Sequence, residues 1–157
     1  MHRLIRSAFA LMLLACAPHA LAQVEVGAAV SVTRDSETTA IGAVAWQPYW
    51  REAWSGQLLW DVGAMYVHGR DNTRLNLDEN AVVVHGGLRW EHTSGFTAGF
   101  GAGLQIGHTD ALSGNPQFIS TVGWRWDRFA LLARHISNAS IKQPNDGETM
   151  LMATWRF

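Results

Sequence analysis

The stretch Phe96-Thr97-Ala98-Gly99-Phe100-Gly101-Ala102-Gly103-Leu104-Gln105-Ile106-Gly107 decides the fold. Phe96, Ala98, Phe100, Ala102, Leu104 and Ile106 alternate strictly with Thr97, Gly99, Gly101, Gly103, Gln105 and Gly107. A period of two belongs to an extended strand, whose successive side chains point to opposite faces. One face is therefore continuous hydrocarbon and the other is nearly bare backbone. Glycine weakens a strand unless space is short, so these glycines suit the crowded interior of a narrow barrel.

The same alternation recurs on both sides at intervals of about ten residues, the spacing of transmembrane β-strands. In a first strand, Val24, Val26, Ala28, Val30 and Val32 oppose Glu25, Gly27, Ala29, Ser31 and Thr33. A second strand is expected over 39–47, then a connection over 48–56. A third strand sets Leu58, Trp60, Val62, Ala64 and Tyr66 on one face. Residues 69–79 form the longest polar loop, and Val82, Val84, Leu88 and Trp90 mark a fourth strand. Further strands are expected over 117–126, over 129–138 after a turn at Asp127-Arg128, and over 149–157. The pattern predicts an all-β fold, an antiparallel transmembrane β-barrel of about eight strands.

A soluble barrel with its apolar face inward would fit the bare alternation equally well. Aromatic placement separates the two. If the first strand runs outward from the periplasm, Trp46, Trp60, Trp90, Trp124, Trp126 and Trp155 all fall at periplasmic strand ends. An interfacial girdle requires that sorting. Phe157, with Trp155, Ala153 and Leu151 on its face, is similar to the C-terminal assembly signal of outer-membrane barrels. The polar segments 69–79, 108–116 and 139–147 then lie at the extracellular end. Glu25, Asp61, Arg89, Glu91, Arg125, Arg134 and Arg156 share the inward parity, which predicts an ion-paired filling and argues against a pore.

A length of 157 residues bounds the chain to one domain, and a net charge of -1 argues against a nucleic-acid partner. Residues 1–22 read as a secretory signal, leaving 23–157 for the barrel. His2, Arg3 and Arg6 make a positive start, residues 8–15 are apolar, and Ala20-Leu21-Ala22 fits a cleavage site. The apolar run is too short to span a bilayer. The single cysteine, Cys16, lies inside this segment, so a chain cut after Ala22 has no thiol. Leu13-Leu14-Ala15-Cys16 also resembles a lipoprotein processing box, a reading that ranks second.

The chemistry concentrates at the end of the seventh strand, 129–138. Phe129, Leu131 and Ala133 form its outward set, and His135 and Ser137 continue it. Residues two apart on a strand share a face at about 7 Å, a gap that leaning side chains can close. A serine activated by a histidine, itself oriented by an acid, is the general arrangement of a serine acyl hydrolase. Two polar groups on the bilayer side are costly without purpose. An enzyme that cuts a lipid of the outer leaflet needs them there. His68, His85, His92 and His108 are scattered without ligand spacing, so neither a metal nor a cofactor is expected.

The run His135-Ile136-Ser137-Asn138-Ala139, followed by Lys142-Gln143-Pro144-Asn145-Asp146-Gly147, resembles the signature of the PagL-type lipid A 3-O-deacylases of bacterial outer membranes. The resemblance implies a lipid A (lipopolysaccharide) substrate, an integral outer-membrane location and a site near the outer leaflet. It implies Ser137 as nucleophile, His135 as general base, Asn138 as part of the oxyanion hole and Glu148 as the acid. The chain departs from the family pattern, in which one residue separates the Gly from the Glu; here Gly147 is followed directly by Glu148. Strict alternation from Phe157 also turns Glu148 inward. Either a bulge brings it outward, or the acid's role is weak or passes to Asp146. Ser120 stands near the family's aspartate that contacts the hydroxyacyl chain.

Each feature also has a plainer reading. A His-x-Ser pair alone is a chance match more often than a site, and Asn145-Asp146-Gly147 is in most proteins simply a turn. A structural barrel without chemistry explains everything except the placement of His135 and Ser137. A soluble or lipid-anchored periplasmic barrel fails on the sorting of the tryptophans.

Overall fold

Residues 23–72 and 76–157 are described by the structure, a computed structural model; the expected signal segment lies outside the described residues. The strands are β1 (Val24–Val32), β2 (Thr38–Trp46), β3 (Tyr49–Ala53), β4 (Gly56–Val67), β5 (Ala81–His92), β6 (Phe96–Ile106), β7 (Gln117–Trp126), β8 (Phe129–Ser137) and β9 (Glu148–Arg156). Each pairs antiparallel with its neighbour in sequence, apart from β2 and β3, which both pair with β4. Pairing of β1 with β9 closes the ring, so the wall has eight strand positions, one of them shared by β2 and β3.

That sharing corrects the connection expected over 48–56. The second strand does not stop at Gln47. It breaks at Pro48, where no N–H is available for a ladder, and resumes as β3 with a register shift between Tyr49 and Arg51. The reversal itself needs only Trp54 and Ser55, both left-handed at φ 49° and 57°. Two successive positive φ values match a tight hairpin to the twist of its strands.

The inward faces carry the expected ionic filling. Arg89, fully buried, donates to Glu25 at 2.7 Å and to Asp61 at 2.9 Å. Asp61 also accepts from Arg134 at 3.0 Å, while Arg125 and Arg156 both bind Glu91. Burying charge is tolerable only when each ion finds opposite partners, and this network supplies several to each. Gly99, Gly101 and Gly103 face inward as expected, whereas Gly107 lies past the end of β6, exposed and left-handed; the pressure on the inward glycines comes from elsewhere than the lumen. A Cβ on Gly87 would lie 2.4 Å from the Phe100 carbonyl oxygen and 2.5 Å from the Cα of Gly101, its partner on β6. Sharp curvature brings the inner faces of adjacent strands together, so the neighbouring backbone forbids the side chain.

Outside, the wall is hydrocarbon: Val30, Phe100, Leu104, Ile106 and Leu151 are all exposed. Aromatic rings gather at one level, with Trp50 on Trp60 (5.3 Å between centroids), Trp90 on Phe96 (6.1 Å) and Trp126 on Phe129 (5.9 Å). At the opposite end the loops fold over the barrel mouth. Leu77, Ala111 and Leu112 are buried there, and the Asn76 side chain donates to Asp110 at 3.0 Å.

Candidate active site

Strand β8 alternates between the two worlds. Ala130, Leu132, Arg134 and Ile136 are buried inside, whereas Leu131 and His135 are exposed outside and Ser137 is half-buried. His135 and Ser137 therefore stand on the outer wall at the end away from the aromatic level. Register aligns Ser120 of β7, His135 of β8 and Thr149 of β9 in one row across the outer face. Phe118 pairs with Ser137 and stacks on Phe100 at 6.3 Å, so apolar surface adjoins the hydroxyl.

The histidine is held by its neighbours. Its Nδ1 shares a hydrogen bond of 2.9 Å with the Thr149 hydroxyl. Gly147 lies beneath the ring: a Cβ there would sit 2.8 Å from His135 Cε1 and 3.2 Å from Nε2. Gly147 is also left-handed, at φ 69°, a conformation that costs other residues about 1 kcal/mol or more. The turn expected at Asn145-Asp146-Gly147 is not formed as such: only Gly147 takes the left-handed backbone, and it packs the loop against the imidazole.

Glu148 requires a correction. Strand β9 pairs with β8 in continuous register, without a bulge, and Ile136 rather than His135 stands opposite Glu148. The carboxylate is fully buried inside the barrel. It accepts two bonds of 2.8 Å from Arg70 and one of 2.5 Å from Ser31. An odd-even step along a strand reverses the face, so the wall separates Glu148 from His135. Its work is to pin the β4–β5 loop, through Arg70, to β1 and β9. Asp146 remains in the loop, its carboxyl raised above the ordinary range by burial and by the nearby charge of Asp35.

Asn138 is placed differently from expectation too. Fully buried, it donates through its side-chain amide to the Leu112 and Lys142 carbonyls at 3.2 and 3.0 Å. Its backbone N–H is taken by the Asn145 side chain at 3.2 Å. Asn138 therefore ties the loop after β8 to the loop before β7, helped by the Gly147 N–H, which donates to Ala111 at 2.7 Å. The next residues, Ala139 and Ser140, are both left-handed at φ 53° and 62°. Their N–H groups donate to no acceptor among the described residues. Consecutive strained residues beside a nucleophile candidate are a feature of functional turns. Neither residue is glycine, so no local signal marks this turn in the sequence.

Ser120 is exposed on the outer wall beside His135. A cavity of about 690 Å3 opens at the aromatic end among Glu52, Gln57, Glu91, His92 and Arg125. It is the barrel mouth, closed below by the ionic network, and contains neither His135 nor Ser137. Among the described residues no group of His, Cys, Asp and Glu is arranged to hold a metal ion.

Fold and site together define a class: a closed eight-stranded transmembrane barrel with a histidine and a serine side by side on the outer wall. Within that class, the family model for "Lipid A 3-O-deacylase (PagL)" matches residues 38–157, and the chain belongs to this family. A solved structure described as the outer membrane enzyme PagL is similar over 85% of this chain and 99% of that one, at 25% identity and a TM-score of 0.57. A de novo designed transmembrane β-barrel is similar over 85% of this chain and 94% of its own, at 16% identity and a TM-score of 0.57; that likeness concerns the fold alone. Comparison with curated protein sequences gave no match. Membership of the family places the chain in the outer membrane.

Proposed function

We propose that this chain is a lipid A 3-O-deacylase that works as a serine esterase, with Ser137 as nucleophile and His135 as general base. The observation that supports it most is the pair's position, on the lipid-facing side of β8 at the loop end of the barrel. Polar groups there meet the outer leaflet, where lipid A lies. Ser137 Oγ attacks the carbonyl of the ester-linked 3-hydroxyacyl chain as His135 takes its proton. The tetrahedral intermediate collapses, the sugar hydroxyl leaves with that proton, and water then releases the hydroxy fatty acid from the acyl-enzyme.

Charge developing on the carbonyl oxygen needs donors already in place. The unbonded N–H groups of Ala139 and Ser140 are the available ones, and Asn138 contributes by holding their turn. Phe118 and Phe100 offer the acyl chain an apolar surface beside the hydroxyl. No step calls for a cofactor or metal. Mass spectrometry of lipid A incubated with the purified barrel tests the reading. One hydroxyacyl group should be lost and the amide-linked chains kept, and the loss should vanish with Ser137→Ala. Intact lipid A after incubation with a folded wild-type barrel would end it.

A further inference from the structure

We infer that Thr149 is the positioning residue for His135, a neutral hydroxyl standing where a catalytic histidine usually meets an acid. The inference rests on the esterase reading above. It follows from register: His135 and Thr149 are direct partners across β8 and β9. Directly opposite side chains of an antiparallel pair share a face and lie close. Thr149 Oγ1 closes that distance to 2.9 Å from Nδ1.

Among the described residues no charged group bonds to the His135 ring. The elements packed on the imidazole bring Ser120 from β7, Thr149 from β9 and Gly147 from the loop, none of them ionisable. Glu148, one residue away, is on the other side of the wall and occupied by Arg70 and Ser31. Asp146 makes no hydrogen bond to His135 among the described residues.

A hydroxyl can do half of what a carboxylate does. By accepting from Nδ1–H it fixes the tautomer that leaves the lone pair on Nε2, the nitrogen that must take the serine proton. Threonine is well suited, since branching at Cβ restricts χ1 and holds Oγ1 in place. It brings no negative charge, however, so the imidazolium formed during attack is oriented without being neutralised. The site should therefore behave as an aligned dyad, and adding the missing charge should improve it.

The test uses full-length barrels refolded into mixed micelles with lipopolysaccharide, each verified as folded by heat-modifiable gel mobility. Thr149→Val keeps the shape, loses the hydroxyl and suits the lipid face; its kcat should fall about 10- to 100-fold with KM unchanged. Thr149→Ser should restore kcat to within about threefold of wild type, since it returns the acceptor. Thr149→Glu should raise kcat above wild type and move the acid limb of the pH–rate profile upward by about one unit or more, because a carboxylate favours the imidazolium. Wild-type kcat in folded Thr149→Val, or an unmoved acid limb in Thr149→Glu, would overturn the inference. A Ser137→Ala arm separates the two levels. If Ser137→Ala is dead and Thr149→Val is fully active, only the positioning role fails. If wild type itself releases no fatty acid, the esterase reading fails and takes the inference with it.

Discussion

Replacing Glu148 by glutamine separates a catalytic acid from a structural pin. In the structure the carboxylate binds Arg70 twice at 2.8 Å and Ser31 at 2.5 Å, with both side chains of the ion pair almost fully buried. In Glu148→Gln the amide would keep one oxygen acceptor and lose the charge, leaving the guanidinium of Arg70 unpaired. Breaking a buried pair from one side costs about 3–5 kcal/mol. Arg70 belongs to a loop and can swing toward water, which argues for the lower end, about 3 kcal/mol, or a little over a hundredfold in the folding equilibrium. Turnover by the folded fraction should fall less than tenfold, because the carboxylate faces away from His135. A triad acid would behave oppositely: exchanging a serine protease's aspartate for asparagine costs about ten thousandfold in kcat with geometry intact. The assay is urea unfolding followed by gel mobility, paired with fatty acid release under native conditions. Glu148→Met with Arg70→Met should recover most of the lost stability, since an apolar pair of similar size leaves no orphaned charge. A drop of a thousandfold or more in kcat at unchanged stability would refute this assignment and return Glu148 to the catalytic machinery.

Ser137→Ala and His135→Ala should each remain folded yet lower fatty acid release by about a thousandfold or more. The double mutant should be scarcely worse, because nucleophile and base act as one unit. Gly147→Ala places a methyl 2.8 Å from the His135 ring on a backbone at φ 69°. It should lower thermal stability by about 1–2 kcal/mol and cut kcat more than KM as the imidazole is displaced. Arg89→Ala leaves Glu25 and Asp61 facing each other without their shared cation; a loss of about 3–5 kcal/mol should appear as a lower transition in heat-modifiability. For Asp146, a carboxyl raised above its ordinary 3.8 by burial and by Asp35 means that the folded chain binds its proton more tightly than the unfolded one. Stability therefore falls as pH rises through that window, and Asp146→Asn should be slightly stabilising at pH 7, with the gain gone in melts below the ordinary value.

Much of the barrel is legible because a two-residue period leaves little freedom. The alternation of 96–106 and the inward parity of Glu25, Asp61, Arg89 and Arg134 follow from side chains taking opposite faces, and the structure keeps both. What escaped were irregularities without a compositional mark. Pro48 reads as a loop, yet a single register shift lets the strand continue beyond it. Trp54, Ser55, Ala139 and Ser140 adopt left-handed backbones that the sequence does not advertise with glycine. The partners of Asn138 lie across the fold, on Leu112, and no local pattern points there. The outward placement of His135 and Ser137, by contrast, follows from parity alone.

The same parity explains why one strand can serve two purposes without conflict. Arg134 and His135 are adjacent on β8, yet the first is bound to Asp61 and Thr121 inside while the second meets Thr149 outside. Inward partners cannot reach the imidazole through the wall, but they fix the register that aligns it. Sliding β9 by one residue would bring Glu148 opposite His135 and turn every side chain of that strand to the other face. Such a slip would expel Met150, Met152 and Thr154 toward lipid and break the clamp of Glu148 on Arg70 and Ser31. The interior thus holds the acid where stability needs it. The outer face must then orient its histidine with the side chain that register leaves there, a threonine.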